Sequence, residues 1–274
     1  MALQEYSESS IETACVHYEY GNALFRTAAR NVENSCQTEN VTGGKESDGA
    51  VDFARDFDIA LEEMENAFAI IDEYLCQKPT SKSSTDDHKK EEVPNYHFWA
   101  LDQVPRILTG IGDLYSEIEK HAFAVDAYLR ATSYREARVQ DKSKHERSVE
   151  VLNHKRLLCE SEILVAESLL RCPKDSDVEV LDENGEKTII VTAAERIDYA
   201  RGYYEKARED LQNTLVYMAK NVNSCDPKQF KKLKEDICFL STMVMGLGIN
   251  LSEYDDQTAT DNDTEQKAKK LKSS

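Results

Sequence analysis

Cys15, Cys36, Cys76, Cys159, Cys172, Cys225 and Cys238 are the residues of this sequence best suited by type to covalent or metal chemistry. Their number is odd and no two form a C-x-x-C pair, which argues against a disulfide framework and against a zinc site. Several fall on apolar helix faces, and this predicts buried thiols in a reducing compartment. The six histidines are dispersed. His17 lies in the apolar register of a helix and reads as a satisfied core residue. His97, beside Phe98 and Trp99, reads as part of a helix start. Glu62, Glu63 and Glu65 could supply acid–base chemistry, but carboxylates spaced this way on a helix are most simply a solvated face. There is no H-E-x-x-H, no G-x-S-x-G, no P-loop and no dinucleotide fingerprint. No candidate nucleophile has a visible base. The expectation is a protein that is not an enzyme, with no catalytic site, no metal and no cofactor.

The elements that would position side chains for binding are repeats. Leu108-x-x-Ile111-Gly112-x-x-Tyr115 is followed by Ala124, Tyr128 and Ala131. Large, large, small and aromatic positions on one helix, then small, aromatic and small on the next, make the tetratricopeptide spacing. Gly112 leaves room for the partner helix, and Ala124 and Ala131 do the same from the other side. Tyr115 and Tyr128 fill the seams between neighbouring hairpins. With this register, two weaker copies appear. One has His17, Tyr20, Gly21 and Leu24, then Ala60, Met64 and Ala67 after an interruption. The other has Ile163, Ala166 and Leu170, with Glu167 in the glycine position, then Ala200, Tyr204 and Ala207. Amphipathic helices of an ordinary bundle are the alternative reading of the weak copies. The predicted fold class is all-α, a tetratricopeptide-repeat helical solenoid.

Three insertions separate these helices. Val32 to Asp58 is polar and carries Glu33, Glu39, Glu46, Asp48, Asp52, Asp56 and Asp58, and is expected to be a mobile loop. A second insertion spans 77–95. The third, 172–193, contains apolar runs flanking Asp182-Glu183-Asn184-Gly185, and Asn-Gly favours a tight hairpin turn. A small β-hairpin leaning on the helices is expected there. Pro94 and Pro105 are both placed near helix starts. Phe230, Leu233, Ile237 and Leu240 share one face of a last helix, which would cover the end of the stack. The organisation is then a segment 1–10, a helical array 11–251 and a disordered tail 252–274. Lys267, Lys269, Lys270 and Lys272 in that tail can serve as a nuclear import signal.

Lys and Arg number 34 against 52 Asp and Glu, a net charge of -18. Such a field repels nucleic acid and attracts basic partners, though it also serves solubility. The first residues have no apolar signal core. The longest uncharged apolar stretch, Cys238 to Leu251, is too short to span a bilayer. No membrane contact and no direct nucleic-acid contact are expected, and the location expected is nucleus and cytoplasm.

The order of interrupted repeat, complete repeat, repeat and capping helix resembles the histone chaperones of the nuclear autoantigenic sperm protein group. ETACVHYEYGNALFRTAARN resembles that family's helix before its acidic interruption, and DIALEEMENAFAIIDEYL the helix after it. IGDLYSEIEKHAFAVDAYLRA resembles its next repeat. AERIDYARGYYEKAREDLQNTLVYM with QFKKLKEDI resembles the last repeat and its cap. The likeness covers most of residues 11–246. Three features depart from it. The family has a complete repeat before the segment at Ile11, whose absence would uncover the helix face around Tyr20. Its interruption is more acidic than Val32 to Asp58, and a hairpin insertion is not expected.

The resemblance implies a histone chaperone that binds core histones of the nucleosome's central tetramer and shields their basic surface during chromatin assembly. It implies no cofactor. A basic helical segment would lie in a groove lined by first-helix positions beside the core register. These are Tyr18, Asn22 and Phe25, then Thr109, Asp113, Ser116 and Glu117, then Leu164, Ser168 and Arg171, with Glu160 at the rim. Asp113 and Glu117 would be charge partners, and Tyr18 and Phe25 apolar anchors. A repeat scaffold docking some other peptide is the alternative. The subtype that clamps acidic tails fits poorly, because Tyr18 and Thr109 stand where cations would be needed.

Overall fold

The computed structural model describes residues 10–39, 49–76, 96–140, 148–173, 177–181, 188–221, 227–228, 230–248 and 251. The 77–95 insertion, the Asp182–Gly185 turn, the tail 252–274 and the N-terminal segment through residue 9 lie outside them. The described chain is helical apart from one two-stranded hairpin. It divides into two compact units, Met1–Tyr134 and Arg135–Ser274, with the boundary inside one helix.

The first unit holds α1 (Ile11–Glu39), α2 (Gly49–Cys76), α3 (Tyr96–Glu117) and most of α4 (His121–Gln140). Ser10 caps α1, its hydroxyl accepting from the Thr13 amide at 3.2 Å. The α1–α2 pair is antiparallel, because His17 meets Glu63, Gly21 meets Ala60 and Phe25 meets Phe57. Gly21 makes this approach possible, since a Cβ there would stand 2.9 Å from the Ala60 carbonyl oxygen. The α3–α4 pair repeats the device. A Cβ on Gly112 would fall 2.5 Å from the Tyr128 ring, which is 2% exposed. Between the pairs, Tyr115 donates to Glu65 at 3.0 Å, and the Arg130 guanidinium stands over the Phe68 ring at 4.5 Å. Tyr134 donates to Asp72, so α2 and α4 run parallel. The core is a layer of small and large apolar side chains, including Ala60, Met64, Ala67, Ile107, Leu108 and Ala131.

A tight turn joins α3 to α4. Lys120 N–H bonds the Tyr115 carbonyl at 2.8 Å and Glu119 N–H the Ser116 carbonyl at 3.1 Å, a Schellman closure. It requires a left-handed residue, and Glu119 supplies it at φ 58°.

The second unit holds the end of α4, α5 (Ser148–Arg171), β1 (Val178–Leu181), β2 (Thr188–Val191), α6 (Arg196–Asn221) and α7, residues 230–248. Ten residues of α5 between Leu158 and Leu170 are buried, so the helix is enclosed on most sides. Cys159 donates its S–H to the Ala207 carbonyl of α6 at 3.3 Å. The strands pair antiparallel from Val178↔Val191 to Leu181↔Thr188, and Val178 and Val191 are buried. The expected hairpin therefore forms and its apolar ends are covered. Thr192 and Glu195 lead into α6, the Glu195 carboxylate accepting from the Thr192 amide at 3.1 Å, as in a capping box, and also from the Thr192 hydroxyl at 2.7 Å. On α7, Leu233, Ile237, Leu240, Val244 and Leu247 form a buried stripe at spacings of four and three. Each contributes about 1.5–3 kcal/mol of burial. Arg156 of α5 reaches Asp236 of α7 at 3.9 Å, and Gly248 sits under the Tyr204 hydroxyl, so α7 packs on both α5 and α6.

Four expectations need correction. The interruption Val32–Asp58 is mostly helix, because α1 continues to Glu39 and α2 begins at Gly49. Phe57 is buried on α2, and the acidic residues around it hid that helix. Residues 40–48 lie outside the described residues. Pro105 is not near a helix start but inside α3. Not all thiols are buried. Cys159 and Cys172 are, whereas Cys15 is half-buried and Cys76 and Cys238 are exposed. The glutamates of α2 are not only a solvated face, because Glu63 pairs with His17 and Glu65 accepts from Tyr115.

Candidate functional site

Gly21, Ala60, Gly112, Ala124, Tyr128, Ala131, Ala200 and Ala207 are all buried. Tyr115 and Tyr204 are half-buried. Burial, with Glu65 adding to it, pushes the Tyr115 hydroxyl up to about 12. It is therefore a hydrogen-bond donor throughout the physiological range.

The first helices α1 and α3 touch, and they bring expected site residues together in the first unit. Tyr18 of α1 is half-buried. Burial pushes its hydroxyl above the ordinary value, Arg106 opposes the shift, and Glu19 and Asp113 add to it. Tyr18, Arg106 and Asp113 thus share one electrostatic neighbourhood across the α1–α3 seam. Asp113 also accepts the Tyr128 hydroxyl at 2.7 Å, which ties the carboxylate to α4. Glu117 is exposed at the last residue of α3. This group can present a phenol face and carboxylates to a basic partner, with Arg106 nearby as a competing cation.

Other expected positions are engaged in packing. Phe25 lies against Phe57, ring centroids 6.1 Å apart, so part of its surface already belongs to the α1–α2 seam. Thr109 donates to the Pro105 carbonyl of its own helix at 2.7 Å. Asn22 and Ser116 are half-buried. In the second unit, Glu160 pairs with Arg156 at 3.0 Å, Leu164 is half-buried, and Arg171 pairs with Glu167 at 3.9 Å. Ser168 is 3% exposed and cannot line a groove, because α5 is enclosed at that level.

Sequence reasoning missed Glu162. It is 1% exposed, and its Oε2 has no hydrogen-bond partner among the described residues. Burial first, then Asp210, pushes its carboxyl up to about 9, with Lys206 opposing and Glu136 and Glu209 adding. The signal was present. Glu162 stands four residues from both Leu158 and Ala166, on a stripe of buried residues. Nearby Cys159 is pushed up to about 12, chiefly by burial, so it is an inert thiol. No group of three His, Cys, Asp or Glu among the described residues could hold a metal ion. No helix among them is long and apolar enough to cross a membrane.

Comparison with known proteins returns no matching family model, no matching curated protein and no matching solved structure.

Proposed function

We propose that the chain is a tetratricopeptide-type repeat protein that binds a basic protein partner and acts as a histone chaperone of nucleus and cytoplasm. Its partners on this reading are core histones of the nucleosome's central tetramer, whose basic surface it shields during chromatin assembly. The observation that carries the reading is the repeated close approach at Gly21 and Gly112. It joins α1 to α2 and α3 to α4, and the first helices of the two pairs, α1 and α3, also touch, with Tyr18 and Asp113 in one neighbourhood. A net charge of -18 complements a histone and disfavours DNA. Binding of this kind needs no cofactor and no covalent step.

The test is a titration with the isolated tetramer-forming histones and with an unrelated basic protein of similar charge. Glu117→Lys changes an exposed residue and should weaken histone binding about threefold to tenfold. Asp113→Asn removes the charge while keeping an acceptor for Tyr128, and should weaken it by a similar factor. Equal binding to both basic proteins, unaffected by either substitution, refutes the chaperone reading and favours a scaffold for another peptide.

A further inference from the structure

A buried polar group is normally hydrogen-bonded, and an exception calls for a reason. Glu162 is such an exception. The charged groups that act on it most strongly come from two helices, and the Cys159 thiol of its own helix interacts with it. From α6 come Asp210, Lys206 and Glu209, and from α4 comes Glu136. Lys206, the cation among them, is drawn elsewhere. Its ammonium lies 3.9 Å from Glu136 and 5.2 Å over the Tyr203 ring. On α5, Arg156 pairs with Glu160 at 3.0 Å, and Lys155 acts on Asp210. Arg135 of α4 donates to the Leu157 carbonyl at 2.8 Å. Four carboxyl groups, Glu136, Glu162, Glu209 and Asp210, therefore share two lysines, Lys206 and Lys155, and Lys206 is also drawn to the Tyr203 ring.

Access is graded. Glu209 is exposed, Asp210 is half-buried, the Glu136 side chain is 36% exposed, and Glu162 is the floor. This is the form of a seat that lacks its cation. We propose that the cluster of Glu136, Glu162, Glu209 and Asp210 receives an arginine or lysine side chain of the partner. The inference rests on the basic-partner reading above, but it names a site in the second unit that the groove positions do not include. A cation on Asp210 and Glu209 favours the charged form of the carboxyl beneath them. Glu162 then gives up its proton as the partner seats, and binding is coupled to proton release. The sign follows from linkage. Because the partner prefers the ionised floor, affinity rises with pH from near neutrality towards the point where free Glu162 itself ionises, about 9.

The experiment is calorimetric titration of the full chain with a blocked eight-arginine peptide, at pH 6 and pH 8, in phosphate and in Tris. The two buffers differ in ionisation heat and so report protons released. At pH 8 the wild type should release close to one proton per peptide and Glu162→Gln none. The variant should bind about tenfold more weakly at pH 8 and equally at pH 6. Glu162→Gln keeps the neutral form seen in the free chain, and a thermal melt checks its fold. Asp210→Asn, at the rim, should weaken peptide binding several-fold while leaving the melt intact. Proton release and affinity alike in wild type and Glu162→Gln, or no peptide binding at all, overturn the site. Proton-coupled peptide binding in a chain that ignores histones sinks the histone reading and leaves the site standing.

Discussion

At the scale of single residues, the least comfortable side chain in this protein is Glu162. It holds a proton in the folded chain up to about 9, against an ordinary value of 4.5. Between those values the folded state binds a proton that the unfolded state has released. Stability is therefore full below the lower value and is lost as pH rises through the higher one. Glu162→Gln removes this dependence. Denaturant unfolding should show the variant more stable by about 1–3 kcal/mol at pH 8 and indistinguishable at pH 4. An equal difference at both values would mean that the carboxyl is ionised or solvated in the folded chain. Cys159 and Cys172 donate to backbone carbonyls, and Arg196 donates to the Pro173 carbonyl at 2.6 Å.

At the scale of elements, the helix pairs are held by contrasts of side-chain size. Gly112 and Tyr128 form one such contrast, and no space remains between them. Gly112→Ala must displace a buried ring that is also tied to Asp113. It should cost about 2–3 kcal/mol in denaturant unfolding. Gly202 of α6 faces open space. Gly202→Ala should instead stabilise by about 0.5–1 kcal/mol, through helix propensity alone. Similar effects at the two positions would show that glycine matters here through backbone freedom and not through packing. The polar links between helices add specificity. Tyr115 to Glu65, Tyr134 to Asp72 and His17 to Glu63 each join residues far apart in sequence. None could be read from local periodicity, because each partner lies on an acidic helix face that looks solvated by itself.

At the scale of the whole molecule, charge dominates. A chain at -18 with a sequence pI near 4.8 carries a strong negative field at neutral pH. Raising salt from about 0.05 M to about 0.3 M shortens the screening length roughly two- to threefold. Histone affinity should fall by at least about tenfold over that range. A partner held mainly by apolar groove contacts would show little change, and this would shift the reading towards a general scaffold. The two compact units divide the acidic groups. Tyr18, Asp113 and Glu117 belong to the first, and the Glu162 cluster to the second.

Helix periodicity, small-residue spacing and the paired apolar runs at 178–181 and 188–191 are local properties. They therefore determined the helical class, the burial of Gly21, Gly112, Ala124, Ala131, Ala200 and Ala207, the hairpin and the stripe of α7. The net charge is likewise a property of composition. Helix ends inside Val32–Asp58 were obscured, because charge there outweighed a sparse apolar stripe. The candidate binding residues were legible only as positions on a helix. Whether a given side chain was available depended on neighbours from other elements, such as Tyr128 on Asp113 and Phe57 on Phe25. Glu162 is the sharpest case. Its place on a buried stripe was written in the chain. That its carboxyl would lie among Asp210, Glu136 and Lys206 was decided by packing, because electrostatic environment is set by whatever the tertiary structure brings within a few ångströms.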